Sequence, residues 1–393
     1  MDALGRYYTN EVISSLLINN FESESPKKVL DLGVGDASLT IAANARWRFA
    51  KFFGTEIENG KAVKVGKALP YLNIIRFDTL KPNASTSLKI KFGSIDIAIC
   101  NPPYVKVEDK SKYVNLFKSV GCTGLNNLQK ISSEIVFFAH NLKLLKANGE
   151  LGIIVSDSLI TGKHFRIFRE VILKRFNVRR IIQLQDNVFA KTEARAHIIF
   201  ISKTKPVNRT CEIFIADNLG SLSRPIEVDK NLLVERMDYQ YHKSKSIIVR
   251  NVLSLKDIGA VIKRGRYSYK ELRDSKLPYF HSTNFKEFGL KVNFTKHLGS
   301  KHESYAAHQG DILFCRVGKR ILGKVAYVNS GSVVNSDCVY KITVPKRYQK
   351  TVLNSLVSDQ GNEWIRTYAH GVCSQVISKS DLELFPLFSL LSS

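Results

Sequence analysis

At 393 residues the chain is long enough for two domains, and its 44% hydrophobic and 24% charged residues exclude a long disordered span. Its charge is unusual: 59 Lys and Arg stand against 35 Asp and Glu, a net +24, which favours a polyanionic partner, nucleic acid most simply, with an anionic membrane surface as the competing reading. No apolar run reaches the roughly 18 residues of a spanning helix, and Met1 to Arg6 carry no signal-peptide pattern, so a cytoplasmic protein is expected.

In chain order, Val12 to Ile18 form an apolar run that Thr9 or Asn10 can cap as a helix. Lys28 to Leu32 read as a short strand, Gly33-Val34-Gly35 as a tight turn, and residues 38–43 as the start of a helix. Glycines there allow a ligand close to the backbone. Ser38 stands where the dinucleotide fingerprint needs glycine, and no lysine follows as in a phosphate loop. Asp31 at the strand end would repel a phosphate, so the pattern suits a cationic, phosphate-free nucleoside. The strand over 52–58 brings Glu56, placed to accept from both ribose hydroxyls. The strand over 72–78 brings Asp78, an acceptor for an adenine amino group.

Ile95 to Cys100 has the apolar continuity of a buried parallel strand. Asn101-Pro102-Pro103-Tyr104 must end it, because two prolines in a row supply no N–H to a ladder. The stiff loop offers one amide (Asn101), one carbonyl (Pro102) and one aromatic face (Tyr104), groups that suit a planar exocyclic amine. Four βα units with polar carboxyl ends describe a crevice at the switch point of a doubly wound sheet. A helix is expected over 128–146, a turn over 146–150, strands over 151–155 and 178–182, a helix over 164–176, the segment Asn187-Val188-Phe189-Ala190, and a closing strand over 196–201. Residues 206–250 read as a linker, and 251–393 as a domain of short strands between Gly and Asn turns. The six cysteines (Cys100, Cys122, Cys211, Cys315, Cys338 and Cys373) have no metal-ligand spacing, so free thiols and no metal are expected.

Tyr8-Thr9-Asn10, Asp31 to Gly35, Glu56, Asp78 and Asn101 to Tyr104, in this order, resemble a class I S-adenosylmethionine-dependent methyltransferase, more narrowly a DNA adenine-N6 methyltransferase. Asn10 departs from the usual proline, and Asp36-Ala37 from the common Ser-Gly. The segment from 251 resembles one target-recognition domain of a type I restriction specificity subunit, through Gly310 to Phe314, Asn335-Ser336-Asp337 and His370 to Leu382. The resemblance implies a Rossmann-like α/β catalytic domain over 1–205, followed after the linker by a mixed, mostly β recognition domain. It implies S-adenosyl-L-methionine held by Thr9, Asp31, Gly33, Gly35, Glu56, Asp78 and Asn101. Asn101, Pro102 and Tyr104 would be the catalytic set, and Tyr104 and Phe189 would stack on the target base. Arg264, Arg266, Arg316, Lys319 and Arg320 are the candidate contacts to double-stranded DNA. The implied role is modification in a restriction-modification system, with a cognate endonuclease acting separately, as a monomer on an asymmetric site or a dimer on a split one. The same loop occurs in enzymes acting on RNA adenine or protein glutamine. Those readings, and a non-catalytic DNA-specificity protein, remain alternatives.

Overall fold

The computed structural model describes residues 9–88, 90–185, 195–247, 252–275, 277–286, 289–294, 298, 306–318, 320–370 and 374–388. The chain divides into two compact units, Met1–His242 and Lys243–Ser393. The first unit begins with α1 (Glu11–Asn19), β1 (Lys28–Leu32), α2 (Ser38–Arg46), β2 (Lys51–Glu56), α3 (Asn59–Ala68), β3 (Leu72–Arg76), α4 (Ala84–Ser87) and β4 (Ile95–Cys100). It continues with β5 (Lys106–Val107), α5 (Val114–Ser119), β6 (Ile131–Ser132), α6 (Ser133–Leu144), β7 (Leu145–Ser156), α7 (Asp157–Thr161) and α8 (Arg166–Arg175). After these come β8 (Asn177–Gln183), β9 (Ala196–Ser202), β10 (Thr210–Ile215), β11 (Ile226–Asp229), α9 (Lys230–Leu233) and α10 (Tyr239–Ile247), which runs past the division.

Nine strands form one sheet in the order β11-β10-β8-β9-β7-β4-β1-β2-β3. Neighbours from β7 to β3 are parallel, whereas β9 runs against both β7 and β8. Chain order reverses between β1 and β4, so their carboxyl ends bound the crevice that ligands use in such sheets. The central strands are apolar throughout because helices cover both faces: Val29, Leu30, Ile97, Ala98 and Ile99 are fully buried. Helix α6 is buried on nearly every side, with Ile135, Val136, Phe138, Ala139 and Leu142 all in the core. Each buried Val, Leu, Ile or Phe side chain here contributes roughly 2 kcal/mol by leaving water, and each alanine less.

The structure differs from the sequence expectations in two places. The helix expected from residue 128 begins at Ser133, because Ile131 and Ser132 are extended and pair antiparallel with Val107 and Lys106. At its other end the chain turns extended at Leu145, and the residues read as a turn are part of β7. A register irregularity against β4 accommodates them, with Asn148 at φ 64°.

The stretch read as a linker is the second difference. Residues 210–215 and 226–229 are strands of the large sheet, β10 parallel to β8 and β11 antiparallel to β10. The physical reason lies in buried charge. Arg169, almost fully buried in α8, donates to the carbonyls of Val234, Glu235, Leu159 and Gly162 at 2.7–3.0 Å. Arg236 and Asp238 form a buried two-point ion pair at 2.7 and 2.8 Å, and His242 Nε2 lies 2.7 Å from the Arg236 carbonyl. Arg169, the Met237 N–H to the Ile160 carbonyl at 3.3 Å and the Gln240 N–H to Gln183 Oε1 of β8 at 3.2 Å tie 234–240 to the first unit, and the Arg236–Asp238 pair braces that segment internally.

The second unit contains β12 (Val261–Arg264), α11 (Tyr269–Asp274), β13 (Tyr279–Phe280), β14 (Lys291–Asn293), β15 (Ala306–His308), β16 (Ile312–Cys315), β17 (Val325–Ser330), β18 (Ser332–Asn335) and β19 (Val339–Thr343). Helices α12 (Gln349–Val357), α13 (Asp359–Tyr368) and α14 (Lys379–Leu382) follow. The strands form a five-stranded sheet, β12-β19-β16-β17-β14, and a three-stranded one, β13-β18-β15. Phe280, Leu313, Val328, Val333 and Val339 share one core. This is the mostly β domain expected from residue 251. Cys100, Cys122, Cys211, Cys315 and Cys338 are free thiols, and Cys373 lies outside the described residues.

The Arg236–Asp238 pair carries a direct expectation. Asp238→Ala leaves a guanidinium buried with its two-point partner gone, and the loss is expected to be about 3 kcal/mol. The lower end of the usual range applies because the Asp157 carboxyl lies near enough to feel the Arg236 charge. Urea unfolding of the two proteins measures it; a change within about 0.5 kcal/mol would show that the pair does not hold this segment.

Candidate functional site

Register sets the site. Asp31 of β1 lies beside Ile99 of β4, so two residues further on Gly33 and Asn101 leave the sheet side by side. The Cys100 thiol reaches the Leu32 carbonyl at 3.3 Å and closes the last rung. Beyond it the two loops diverge around one cavity of about 230 Å³. Thr9, Gly33, Gly35, Glu56, Asp78 and Asn101 all line it, together with Phe77 and Phe137. Asp31, Pro102 and Tyr104 do not. Phe189 lies outside the described residues.

The glycine turn is held from the side of β2. The N–H groups of Gly33 and Val34 donate to the Thr55 carbonyl at 3.0 and 2.8 Å. The Gly35 N–H donates to Glu56 Oε2 at 2.9 Å, and the Glu58 N–H to Glu56 Oε1 at the same distance. Gly33 sits at φ 80°, and a Cβ there would come 3.2 Å from the Phe137 ring. Ala37 adopts φ 68° where the related pattern has glycine, a left-handed backbone that costs about 1–2 kcal/mol for a residue with a Cβ. The departure from the pattern is therefore accommodated by strain, with the loop path kept.

Asp31 is placed beneath the loop, nearly fully buried, where its Oδ2 accepts from Thr40 Oγ1 at 2.7 Å. Its Oδ1 has no partner among the described residues. Burial pushes its carboxyl up to about 7, opposed by the Thr40 hydroxyl and reinforced by the nearby charges of Asp36 and Glu56. At the end of β3, Asp78 Oδ1 caps the turn through the Leu80 N–H at 2.9 Å. Asn101 donates Nδ2 to Thr9 Oγ1 at 2.9 Å, which turns its Oδ1 the other way. Thr9 is in turn held at the mouth of α1, whose N-cap Asn10 accepts from the Ile13 N–H at 2.9 Å.

Phe77 and Phe137 are cavity residues that sequence reasoning passed over. In the sequence they look like any core aromatic; the available signal was that Phe137 lies one helical turn after Ser133, on the stripe that faces both loops. In the second unit, Arg264 and Arg316 converge on one acid turn. Arg264 bonds the Asp337 carbonyl and Oδ2, each at 2.9 Å, and Arg316 the Asp337 carbonyl at 3.1 Å. Arg266 and Arg320 are exposed, and Lys319 lies outside the described residues.

A doubly wound sheet with a glycine turn beside an Asn-Pro-Pro-Tyr loop defines a class I methyltransferase fold. The sequence pattern of the N-6 DNA Methylase family matches residues 2–239, and the chain belongs to that family. The type II methyltransferase M.PstI of Providencia stuartii is 27% identical over 198 residues, 45% of this chain and 38% of that protein. M.BsuBI of Bacillus subtilis is 24% identical over 216 residues, 48% of this chain and 41% of that protein. The chain spans about two fifths of the length of these relatives. Among solved structures, the type IIG restriction endonuclease BpuSI matches 95% of this chain and 57% of its own, with a TM-score of 0.51 and 13% identity, a likeness of fold.

S-adenosylmethionine is the cofactor that this fold and family imply, and the residues fit it. The turn at Gly33 and Gly35 leaves room at the cavity wall, Glu56 and Asp78 supply acceptors there, and an ionisable carboxyl with an unpartnered oxygen lies below.

The raised Asp31 carboxyl has a thermodynamic consequence. The unfolded chain ionises this group near its ordinary value of 3.8, and the folded chain only near 7. Its contribution to stability therefore falls as pH rises through that window. Between pH 5 and pH 8 the denaturation midpoint of the wild type should drop by more than that of Asp31→Asn. Parallel curves for the two proteins would place the titration elsewhere.

Proposed function

We propose that the chain transfers a methyl group from S-adenosylmethionine to N6 of an adenine flipped out of duplex DNA, as the modification enzyme of a restriction-modification system. The observation that carries this reading is the pairing of Asn101 with Thr9 on the cavity that also holds Gly33, Gly35, Glu56 and Asp78. It orients an amide acceptor beside a nucleoside-sized site.

An adenine N6 lone pair is delocalised into its ring, so the amine is a poor nucleophile. Asn101 Oδ1 and the Pro102 carbonyl each accept one N6–H. Together they draw the nitrogen toward a tetrahedral shape and localise its lone pair in line with the transferred carbon. The gain is one of position and electrostatics. S-adenosylmethionine, when bound, supplies the electrophilic methyl group. Tyr104 and Phe189 hold the base by stacking, which offsets part of the few kcal/mol that unstacking costs. Within the cofactor site, Glu56 accepts from the ribose and Asp78 from the adenine amine.

The second unit is read as the target-recognition domain, its basic surface supplying phosphate and base contacts. Arg264, Arg266 and Arg320 are the exposed candidates. Because Arg264 and Arg316 already bond Asp337, they act best as struts that shape the turn Asn335-Ser336-Asp337.

Asn101→Ala tests the central role. Methyl transfer to DNA should fall by at least about 100-fold, with duplex affinity within about threefold of the wild type by fluorescence anisotropy. Unchanged turnover in the variant would refute the assignment of Asn101.

A further inference from the structure

The Asn-Pro-Pro-Tyr loop has a bracing problem that its own sequence creates. Pro102 and Pro103 contribute no N–H, so the backbone on either side of Tyr104 needs a partner from elsewhere. One buried hydroxyl meets both needs. Ser133 Oγ donates to the Pro103 carbonyl, directly before Tyr104, and accepts from the Val105 N–H, directly after it, at 3.1 Å. The Ser133 N–H completes the clasp by donating to the Val105 carbonyl at 2.9 Å. A single side chain thus closes a ring around the backbone of Tyr104, the aromatic that this loop presents.

Ser133 is itself held in place. It is the first residue of α6 and fully buried. The next residue, Glu134, accepts the Ser156 N–H on Oε1 at 2.7 Å, which pins the first turn of the helix to the end of β7. One turn on, Phe137 packs under Gly33 and lines the cavity. Helix α6 therefore touches the cofactor turn through Phe137 and the acceptor loop through Ser133, and it fixes the spacing between them.

We propose that Ser133 is a positioning residue, whose hydroxyl sets the backbone of Tyr104 and with it the pose of the acceptor base, without touching substrate or cofactor. This role in catalysis rests on the methyl-transfer reading above; the clasp on the loop does not. The experiment therefore has two readouts on Ser133→Ala, Ser133→Cys and Ser133→Thr. Hydrogen exchange of the peptide covering 101–107, measured without DNA, should quicken by about tenfold at one amide in the Ala and Cys variants, where a hydrogen bond is lost. It should return toward the wild-type rate in the Thr variant, which keeps the hydroxyl. Steady-state methylation should show kcat lowered by ~10–100-fold in Ala and Cys and largely restored in Thr, with the dissociation constant for S-adenosylmethionine within about twofold of the wild type. If Ser133→Ala does not fold, the Cys and Thr pair carries the comparison, because both fill the site and only Thr keeps a strong hydrogen-bonding group. Wild-type exchange and wild-type kcat in the Cys variant would overturn the proposal. A wild-type protein that methylates no DNA adenine, with the exchange difference present, would instead overturn the methyl-transfer reading and leave the clasp standing.

Discussion

Two consecutive prolines at the end of a buried strand dictate much of the first unit. They end β4, deprive the following loop of two N–H groups, and so require that it be braced by groups brought from distant parts of the chain. Thr9 supplies one brace, through the Asn101 amide. Ser133 supplies the other, around Tyr104. The helix expected to start at residue 128 gives up its first turn so that Ile131 and Ser132 can pair with the loop exit. The loop is thus braced from two sides, and bracing of that kind suits a site that must hold a poor nucleophile in line.

The facing turn shows the opposite economy. Its backbone donors are well satisfied by Thr55 and Glu56, yet it contains a left-handed alanine and stands above a carboxyl that burial keeps protonated to about pH 7. Both features lower the stability of the fold. A left-handed non-glycine residue and a buried carboxyl with an unpartnered oxygen beside one cavity are features often found at binding sites. The buried Arg169 and the Arg236–Asp238 pair belong to a different class: Arg169 ties the segment after β11 to α8, the pair braces that segment internally, and both lie outside the residues that line the cavity.

The parallel sheet was legible in the sequence because apolar runs of strand length alternate with helical spacing, and each run ends in a polar residue. Gly33, Gly35, Glu56, Asp78 and Asn101 were legible for that reason and Thr9 through the resemblance in motif order, and all six line one cavity. What stayed hidden depended on three-dimensional partners. Ser133 reads as an ordinary helix-start serine, and Phe137 as one more core aromatic. The stretch over 206–250 looked like linkage because its turn residues are conspicuous, whereas the carbonyls that Arg169 binds carry no sequence signal. Basic residues are likewise ambiguous: nothing local marks Arg264 and Arg316 as the ones that grip Asp337.

The proposed function holds the exocyclic amine of a purine against Asn101, and the nature of the methylated atom tests it. Duplex DNA incubated with the purified chain and S-adenosylmethionine carrying a deuterated methyl group, then digested to nucleosides, can be resolved by mass spectrometry. The label should appear in N6-methyladenine. Label in a methylated cytosine, or in RNA or protein offered in its place but not in DNA, would contradict the assignment of the Asn101 loop to adenine.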